Sequence, residues 1–334
     1  MNHSLRLPVT DQSEAGAARR RVAAWAKEYA LPAELAGSVA LVVTELATNL
    51  ALHTSGGVLL LRRISAPEQR GVEVLSLDKG PGVANFSECL RDGFSTAGTA
   101  GTGLGAVRRA SHIFEVHSQM GLGTAILSEV WGKPPAKPKG GFYEGAASVE
   151  MAGEEACGDA WSTLSPQPGR ARLLVADGLG HGEFAATASR KAVEVFQKSP
   201  ALSLFDLLET MHGAMRSTRG AAVAVAEIDP QKGKLYYAAV GNIAAMIVHG
   251  DKTTRLMSQN GTVGVQYRKF QQLTYDWPAG GSLVMQSDGI KVDWQLSRYA
   301  GLAARHPGLM AGVLYRDFHR PNDDATVVVL RERA

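Results

Sequence analysis

The stretch Lys133–Gly141, Lys-Pro-Pro-Ala-Lys-Pro-Lys-Gly-Gly, constrains this chain more than any other. Proline lacks a backbone N–H and fixes φ, so three prolines followed by two glycines continue neither a helix nor a central strand. Such a stretch reads as a linker. The chain has 334 residues, 45% of them hydrophobic, enough for a core on each side of it. Two domains are therefore expected, residues 1–132 and 142–334, joined by 133–141.

A formal charge of +3 is close to balance, so neither nucleic acid nor an anionic membrane is an expected partner. The two cysteines, Cys89 and Cys157, are too few for a disulfide framework and fit a reducing cytoplasm. The first residues lack the apolar core of a signal peptide, and no run of 18 apolar residues marks a membrane span.

In the first part, residues 13–30 and about 33–53 have helical patterns. Glu45 and Asn49 lie four apart on one face of the second helix, whose other face is almost wholly apolar. The pair is either a capping or surface pair, or a carboxylate base beside an amide that holds a phosphate-bound metal. Two strand-like runs follow, 57–64 and 71–77, the second ending on Asp78-Lys-Gly80-Pro-Gly82. A carboxylate there can accept from an exocyclic amine such as adenine's, and the glycines admit a flat base or phosphates. Gly98-Thr-Ala-Gly101-Thr-Gly103-Leu-Gly105 then opens into a helical run, where backbone N–H groups suit a phosphate. It has neither the Lys-Ser/Thr of a Walker loop nor the immediately preceding strand of a dinucleotide fingerprint.

The second part centres on Val175–Gly182, Val-Ala-Asp-Gly-Leu-Gly-His-Gly, an apolar strand that delivers Asp177 and then breaks into a helix. A plain turn accounts for an Asp-Gly pair alone. Three more aspartates occupy strand boundaries: Asp159 after Gly158, Asp288 before Gly289, and Asp323 in an Asp-Asp pair. Gathered carboxylates raise one another's pKa unless a cation sits among them. Four such oxygen ligands suit two hard divalent ions, Mg2+ or Mn2+, which can generate hydroxide and clamp a phosphoryl group. The alternative is four unrelated turn aspartates. A helix at 202–217 and strands at 221–228, 234–240, 282–286 and 327–330 complete the pattern.

In combination, Glu45-x-x-x-Asn49, Asp78-x-Gly80-x-Gly82 and Gly101-x-Gly103-x-Gly105 resemble the N, first-glycine and second-glycine boxes of the GHKL ATPases. Glu45-Leu-Ala-Thr-Asn49 with His53 is most similar to the anti-sigma-factor serine kinases, and Gly121-Leu-Gly123 fits a late glycine feature of that fold. The resemblance implies a GHKL (Bergerat) α/β sandwich with a mixed sheet backed by helices. It also implies ATP with Mg2+ held by Asn49, adenine read by Asp78, and Glu45 as base toward a serine hydroxyl. His53 is expected to be structural or to touch a lid.

Gly158-Asp159, Asp177-Gly178-Leu-Gly-His181-Gly182, Ser287-Asp288-Gly289 and Asp323-Asp-x-Thr326 resemble, in that order, the SpoIIE-type branch of the protein phosphatase 2C superfamily, its RsbX-type members especially. That implies an α+β chain of two domains, the second a phosphatase 2C-like β-sandwich flanked by helices. The implied activity is phosphoserine or phosphothreonine hydrolysis on a protein with two Mg2+ or Mn2+ ions. Asp177 would bridge both, Gly178 would offer its carbonyl, Asp159 would reach one directly or through water, and Asp288 and Asp323 would hold the other. Two departures are visible. Ser162 follows Trp161 where a second acid is common, and no arginine in the opening strand matches the phosphate-binding arginine of animal relatives. His181 is expected to shape its loop and Cys157 to be structural.

The implied partner is a STAS-domain anti-sigma antagonist or stressosome scaffold protein, whose phosphorylated form is the substrate; a homodimer is compatible with the chain. Three readings of the first domain stay open: an active kinase, a non-catalytic domain that senses nucleotide or binds a partner to tune the phosphatase, or half of a partner-binding module with vestigial sites.

Overall fold

The computed structural model describes residues 3–66, 69–86, 103–133, 141–267 and 269–333. Most of the linker stretch, Cys89 and Gly98–Gly101 lie outside the described residues. The chain divides into two compact units. One comprises Ser4–Lys137 with Tyr299–Arg316, the other Met1–His3, Pro138–Arg298 and Asp317–Ala334.

The first unit opens with β1 (Leu5–Val9), α1 (Gln12–Glu28) and α2 (Ala33–His53). Asp11 caps α1, its carboxylate accepting from the amides of Ser13 and Glu14 at 2.8 and 3.0 Å. The strands β2 (Gly57–Ala66) and β3 (Gln69–Asp78), the helix α3 (Gly103–Ala110), then β4 (Ile113–Gln119) and β5 (Gly123–Trp131) follow. The sheet order is β1-β2-β3-β5-β4. Among the described residues every pairing in this sheet is antiparallel, which corrects the expected mixed sheet. The short connections from β2 to β3 and from β4 to β5 allow only that geometry, because parallel neighbours need a long crossover.

At 21 residues and a mean hydropathy of 1.6, α2 is long and apolar enough to cross a membrane. Here its Val39, Val43, Leu46 and Leu50 pack in one core with Leu59, Leu61, Val72 and Val74 of the sheet. It is apolar because it is the central core helix of this unit.

The second unit stacks two five-stranded antiparallel sheets. The strands are β6 (Phe142–Val149), β7 (Asp159–Leu164), β8 (Ala171–Gly178), β9 (Ala221–Asp229), β10 (Lys234–Val240), β11 (Ala244–His249) and β12 (Lys252–Arg255), the short β13 (Gly261–Thr262) and β14 (Gln266–Tyr267), then β15 (Leu273–Asp276), β16 (Ser282–Gln286) and β17 (Ala325–Glu332). One sheet runs β15-β10-β9-β8-β7, the other β12-β11-β16-β17-β6. Between them lie Trp161, Leu173, Val175, Tyr237, Leu283, Met285 and Val328. Outside the first sheet, α4 (Gly182–Lys198) and α5 (Leu204–Met215) bury Phe196, Leu207 and Met211 against Leu174, Ala176, Val223 and Val225. Alternate residues of β8 therefore enter two different cores, and this explains its unbroken apolar run.

One helix has no counterpart in the sequence reading: α6 (Pro307–Phe318), every residue of which from Pro307 to Arg316 is buried. Its residues up to Arg316 belong to the first unit. Gly308 and Gly312 face β3 and β5; a Cβ on Gly312 would stand 3.0 Å from Leu77, and one on Gly308 2.9 Å from Glu73. Beneath this helix, cross-strand partners Glu73 and Glu129 are both buried. Arg62 binds Glu73 at 3.1 Å and the His306 ring lies 3.6 Å from Glu129. Glu73, Glu129 and His306 are close enough to share a metal, but Arg62 already supplies a buried cation there.

Candidate active site

In the second unit, β7 and β8 set Asp159 directly opposite Asp177. Asp159 is 1% exposed, and Ser287 donates its hydroxyl to Oδ2 at 2.7 Å. The other oxygen of Asp159, Oδ1, is buried without a hydrogen-bond partner among the described residues. Asp177, Asp288 and Asp323 line one cleft of about 570 Å3, with Asn242, Gly180 and His181 in the same wall. Asn242 Nδ2 donates to Asp288 Oδ2 at 2.6 Å. The neighbour of Asp323 works differently: Asp324 accepts from the amides of Met151 and Gly158, both at 2.9 Å, and so ties the Gly158-Asp159 corner to β17. Two glycines are required by close approach. A Cβ on Gly178 would collide with the Ala185 backbone, and one on Gly289 with the Asp324 carbonyl.

The electrostatics point one way. Burial first, then the Asp159, Asp288 and Asp323 carboxylates, push Asp177 up to about 9. Burial pushes Asp159 up to about 7 against the stabilising Ser287 and Thr326 hydroxyls, and Asp323 is raised by burial and then by Asp288. Like charges this close do not all ionise without a cation. The orphaned Asp159 Oδ1 and an all-oxygen donor set fit hard divalent ions such as Mg2+ or Mn2+.

Asp177, Asp288 and Asp323 thus meet at one cleft, Asp159 sits in the β7 pairing partner of Asp177, and Gly178 follows Asp177 at the end of β8. His181 is the N-cap residue of α4, and its Nδ1 lies 2.6 Å from Glu154 Oε1 at the cleft mouth. Cys157 is buried and burial raises its thiol well above the usual range, so it is an inert core residue. Asn242, Ser287 and Asp324 are the side chains that sequence reasoning left without a role. Only their strand-end positions beside Gly241, Asp288 and Asp323 marked them.

In the first unit, Asp78 ends β3 and is 8% exposed. Its Oδ1 accepts from the amides of Gly80 at 2.7 Å and Thr124 at 3.3 Å, and burial raises its pKa above the ordinary value. Gly82 (φ 73°) and Gly123 (φ 84°) lie where a Cβ would strike the Gln119 and Asp78 carbonyl groups, so both positions need glycine. Glu45 reaches the start of α3, where a Cβ on Gly103 would stand 2.5 Å from its Oε2. Asn49, one turn further along α2, has a buried Nδ2 without a partner among the described residues. Gly105 is buried within α3, Gly101 lies outside the described residues, and His53 is the last residue of α2.

Residues 167–333 match the family model for stage II sporulation protein E (SpoIIE), and residues 9–127 match a histidine kinase-like ATPase domain. The serine/threonine-protein kinase RsbT of Bacillus subtilis (strain 168) is 33% identical over 89 residues, covering 27% of this chain and 67% of RsbT. The phosphoserine phosphatase RsbX of the same organism is 23% identical over 142 residues, covering 42% of this chain and 70% of RsbX. A crystal structure of RsbX in complex with magnesium superposes with a TM-score of 0.51 at 18% identity, over 59% of this chain and 98% of that one. The PP2C phosphatase domain of Bacillus subtilis SpoIIE, with a fragment of its regulatory domain, gives 0.50 at 17% identity, over 96% of this chain and 92% of that chain. These last two likenesses show the fold.

Proposed function

Because the chain belongs to the stage II sporulation protein E family of serine/threonine phosphatases and carries an RsbT-like ATPase domain before it, we propose that it is a metal-dependent phosphoserine/phosphothreonine protein phosphatase under nucleotide control. The observation that carries this reading is the cleft where Asp177, Asp288 and Asp323 converge, with the buried Asp159 set opposite Asp177 in the β7–β8 pair. Asp177 and the Gly178 carbonyl, with Asp159, Asp288 and Asp323, would hold two Mg2+ or Mn2+ ions. Such ions, when bound, supply an acidified water and neutralise phosphoryl charge.

The chain's own residues do the positioning. Ser287 and Asn242 fix the Asp159 and Asp288 carboxylates, and Asp324 holds the corner that presents Asp159. The proposed substrate is a phosphorylated STAS-domain protein of a cytoplasmic partner-switching or stressosome pathway, as the resemblance to RsbT and RsbX suggests. The domain boundary at 133–141 is part of the proposal. The test is phosphate release from phosphorylated STAS proteins and phosphoserine peptides with Mn2+, with chelator, and in Asp288→Asn. Chelator-resistant release, or full activity of Asp288→Asn, would remove the two-metal reading.

The first domain has two readings. As a kinase, Asn49 would hold Mg2+ on ATP, Asp78 would read adenine, and Glu45 would draw the proton from a serine hydroxyl. The specific observation favouring a regulator is Arg316, a buried residue of the late segment Tyr299–Arg316, which donates from Nη1 to the Asp78 carbonyl at 2.9 Å. This segment continues the chain from Asp288 and returns it to Asp323. A nucleotide that shifts Asp78 would therefore act on a segment covalently joined to metal ligands at both ends. Radiolabelled transfer from ATP to a STAS partner supports the kinase; ATP-dependent phosphatase turnover without transfer supports the regulator.

A further inference from the structure

Leu179, in the wall of the cleft, and Phe184, in the first turn of α4, are large apolar side chains open to solvent. Leu179 is 58% exposed and Phe184 is 69% exposed, two and seven residues beyond Asp177. Neither belongs to a buried cluster among the described residues. Their backbone is fixed. The Leu179 amide donates to the Gly220 carbonyl at 3.0 Å, and Gly178 pairs with Ala221 at the start of β9.

The residue before Gly220 is Arg219. Its turn is set by the Thr218 hydroxyl, which accepts from the Gly220 amide at 3.1 Å, and by Gly220 itself at φ 80°. The side chain runs back over the loop. Its guanidinium carbon lies 4.8 Å from the centroid of the Phe184 ring, and Nη1 stands 3.1 Å from where a Cβ on Gly180 would be. Gly180 lines the same cleft as Asp177, Asp288 and Asp323. Among the described residues, the neighbouring Arg190 is paired with Glu183, whereas Arg219 has no carboxylate partner. An exposed guanidinium stacked on an aromatic face is pre-oriented yet keeps its five donors free for an anion.

The cleft's own charged groups are carboxylates, and its substrate under the proposed function is an anion. We propose that Arg219, braced by Phe184, is a specificity-determining residue for the phosphoprotein. It grips an anionic oxygen of the substrate, either on the phosphoserine or on a carboxylate beside it, while Leu179 and Phe184 receive an apolar flanking side chain. This rests on the phosphatase reading. It supplies from the turn before β9 a substrate cation that the opening strand β6 does not offer.

The test compares the parent, Arg219→Ala, Arg219→Lys and Phe184→Ala, all loaded with Mn2+, on three substrates. These are p-nitrophenyl phosphate, a phosphoserine peptide with acidic and apolar neighbours, and the same peptide with alanine neighbours. One or two charge-assisted hydrogen bonds correspond to roughly a ten- to hundred-fold fall in kcat/KM for Arg219→Ala on the acidic peptide. Arg219→Lys should recover only part of it, since lysine lacks the planar fork. If the grip is on the phosphoryl group, all three substrates fall together. If it is on a flanking carboxylate, p-nitrophenyl phosphate is spared and the preference for acidic neighbours disappears.

Arg219→Ala within twofold of the parent on every substrate overturns the proposal. So does a loss of Mn2+-induced thermal stabilisation in this variant, which would make Arg219 a brace of the metal loop. A parent that hydrolyses none of the three fails one step earlier and overturns the phosphatase reading together with the inference.

Discussion

Replacing Asp177 by asparagine should make the metal-free protein more stable while destroying its response to metal. In the metal-free fold, burial and four neighbouring carboxylates push Asp177 up to about 9, from an ordinary value of 3.8. At pH 7.5 the folded protein therefore keeps a proton that the unfolded chain releases. The linkage cost has a ceiling of about 1.4 kcal/mol per pH step between 3.8 and 7.5, or about 5 kcal/mol. Asp159 shares this proton balance across the β7–β8 pair, so about half, roughly 2–3 kcal/mol, is the expected net effect. Asparagine keeps the shape and carries no charge. At 2–4 °C per kcal/mol for a domain of this size, the melting temperature in chelator should rise by roughly 5–10 °C. Calorimetry or fluorescence melting with chelator and with Mn2+ reads both halves. The parent should gain stability on Mn2+ addition and the variant should not. Equal melting of the two proteins in chelator would refute the electrostatic argument, and a variant still stabilised by Mn2+ would refute the metal assignment.

The same groups set a pH dependence: a raised carboxylate pKa gives stability that is present below about pH 4 and lost as pH rises, through about 7 for Asp159 and about 9 for Asp177. Urea melts in chelator should therefore weaken from pH 5 to 9, and saturating Mn2+ should flatten that decline. Asn242→Ala removes the donor to Asp288 Oδ2, and titration calorimetry should show Mn2+ binding weakened roughly tenfold with the fold intact. Arg316→Ala leaves the Asp78 carbonyl without its buried donor, a loss of about 1–3 kcal/mol, and should lower both stability and ATP affinity. Glu45→Ala should keep ATP binding within a few-fold and lose any transfer to a STAS partner by roughly 10²–10⁴-fold, whereas Asn49→Ala should weaken Mg2+–ATP binding itself.

Much of this protein is local, and local order is what a sequence determines. The pattern from Ala33 to His53 is a helix because apolar residues recur on its core faces, and it is observed over that span. The run before Asp177 is a strand buried on both faces, hence without alternation, and its break into glycines puts the carboxylate at a sheet edge. Four aspartates at strand ends, in a set order, marked the family because each turn is encoded by its own few residues. What the sequence could not decide is whatever depends on a partner far along the chain. Nothing in Pro307–Phe318 says which sheet its two glycines will lie against; only the packing on β3 and β5 places it in the first unit. The Arg316–Asp78 bond joins residues 238 positions apart, and Asn242 meets Asp288 across 46. Arg219 comes to lie against Gly180 only because β9 begins beside the end of β8. Burial decides the rest: Asp159 and Asp177 look alike as letters, yet the fold leaves one with an orphaned oxygen and holds the other near pKa 9. Desolvation is a property of the surrounding layers, and those exist only once both sheets have closed.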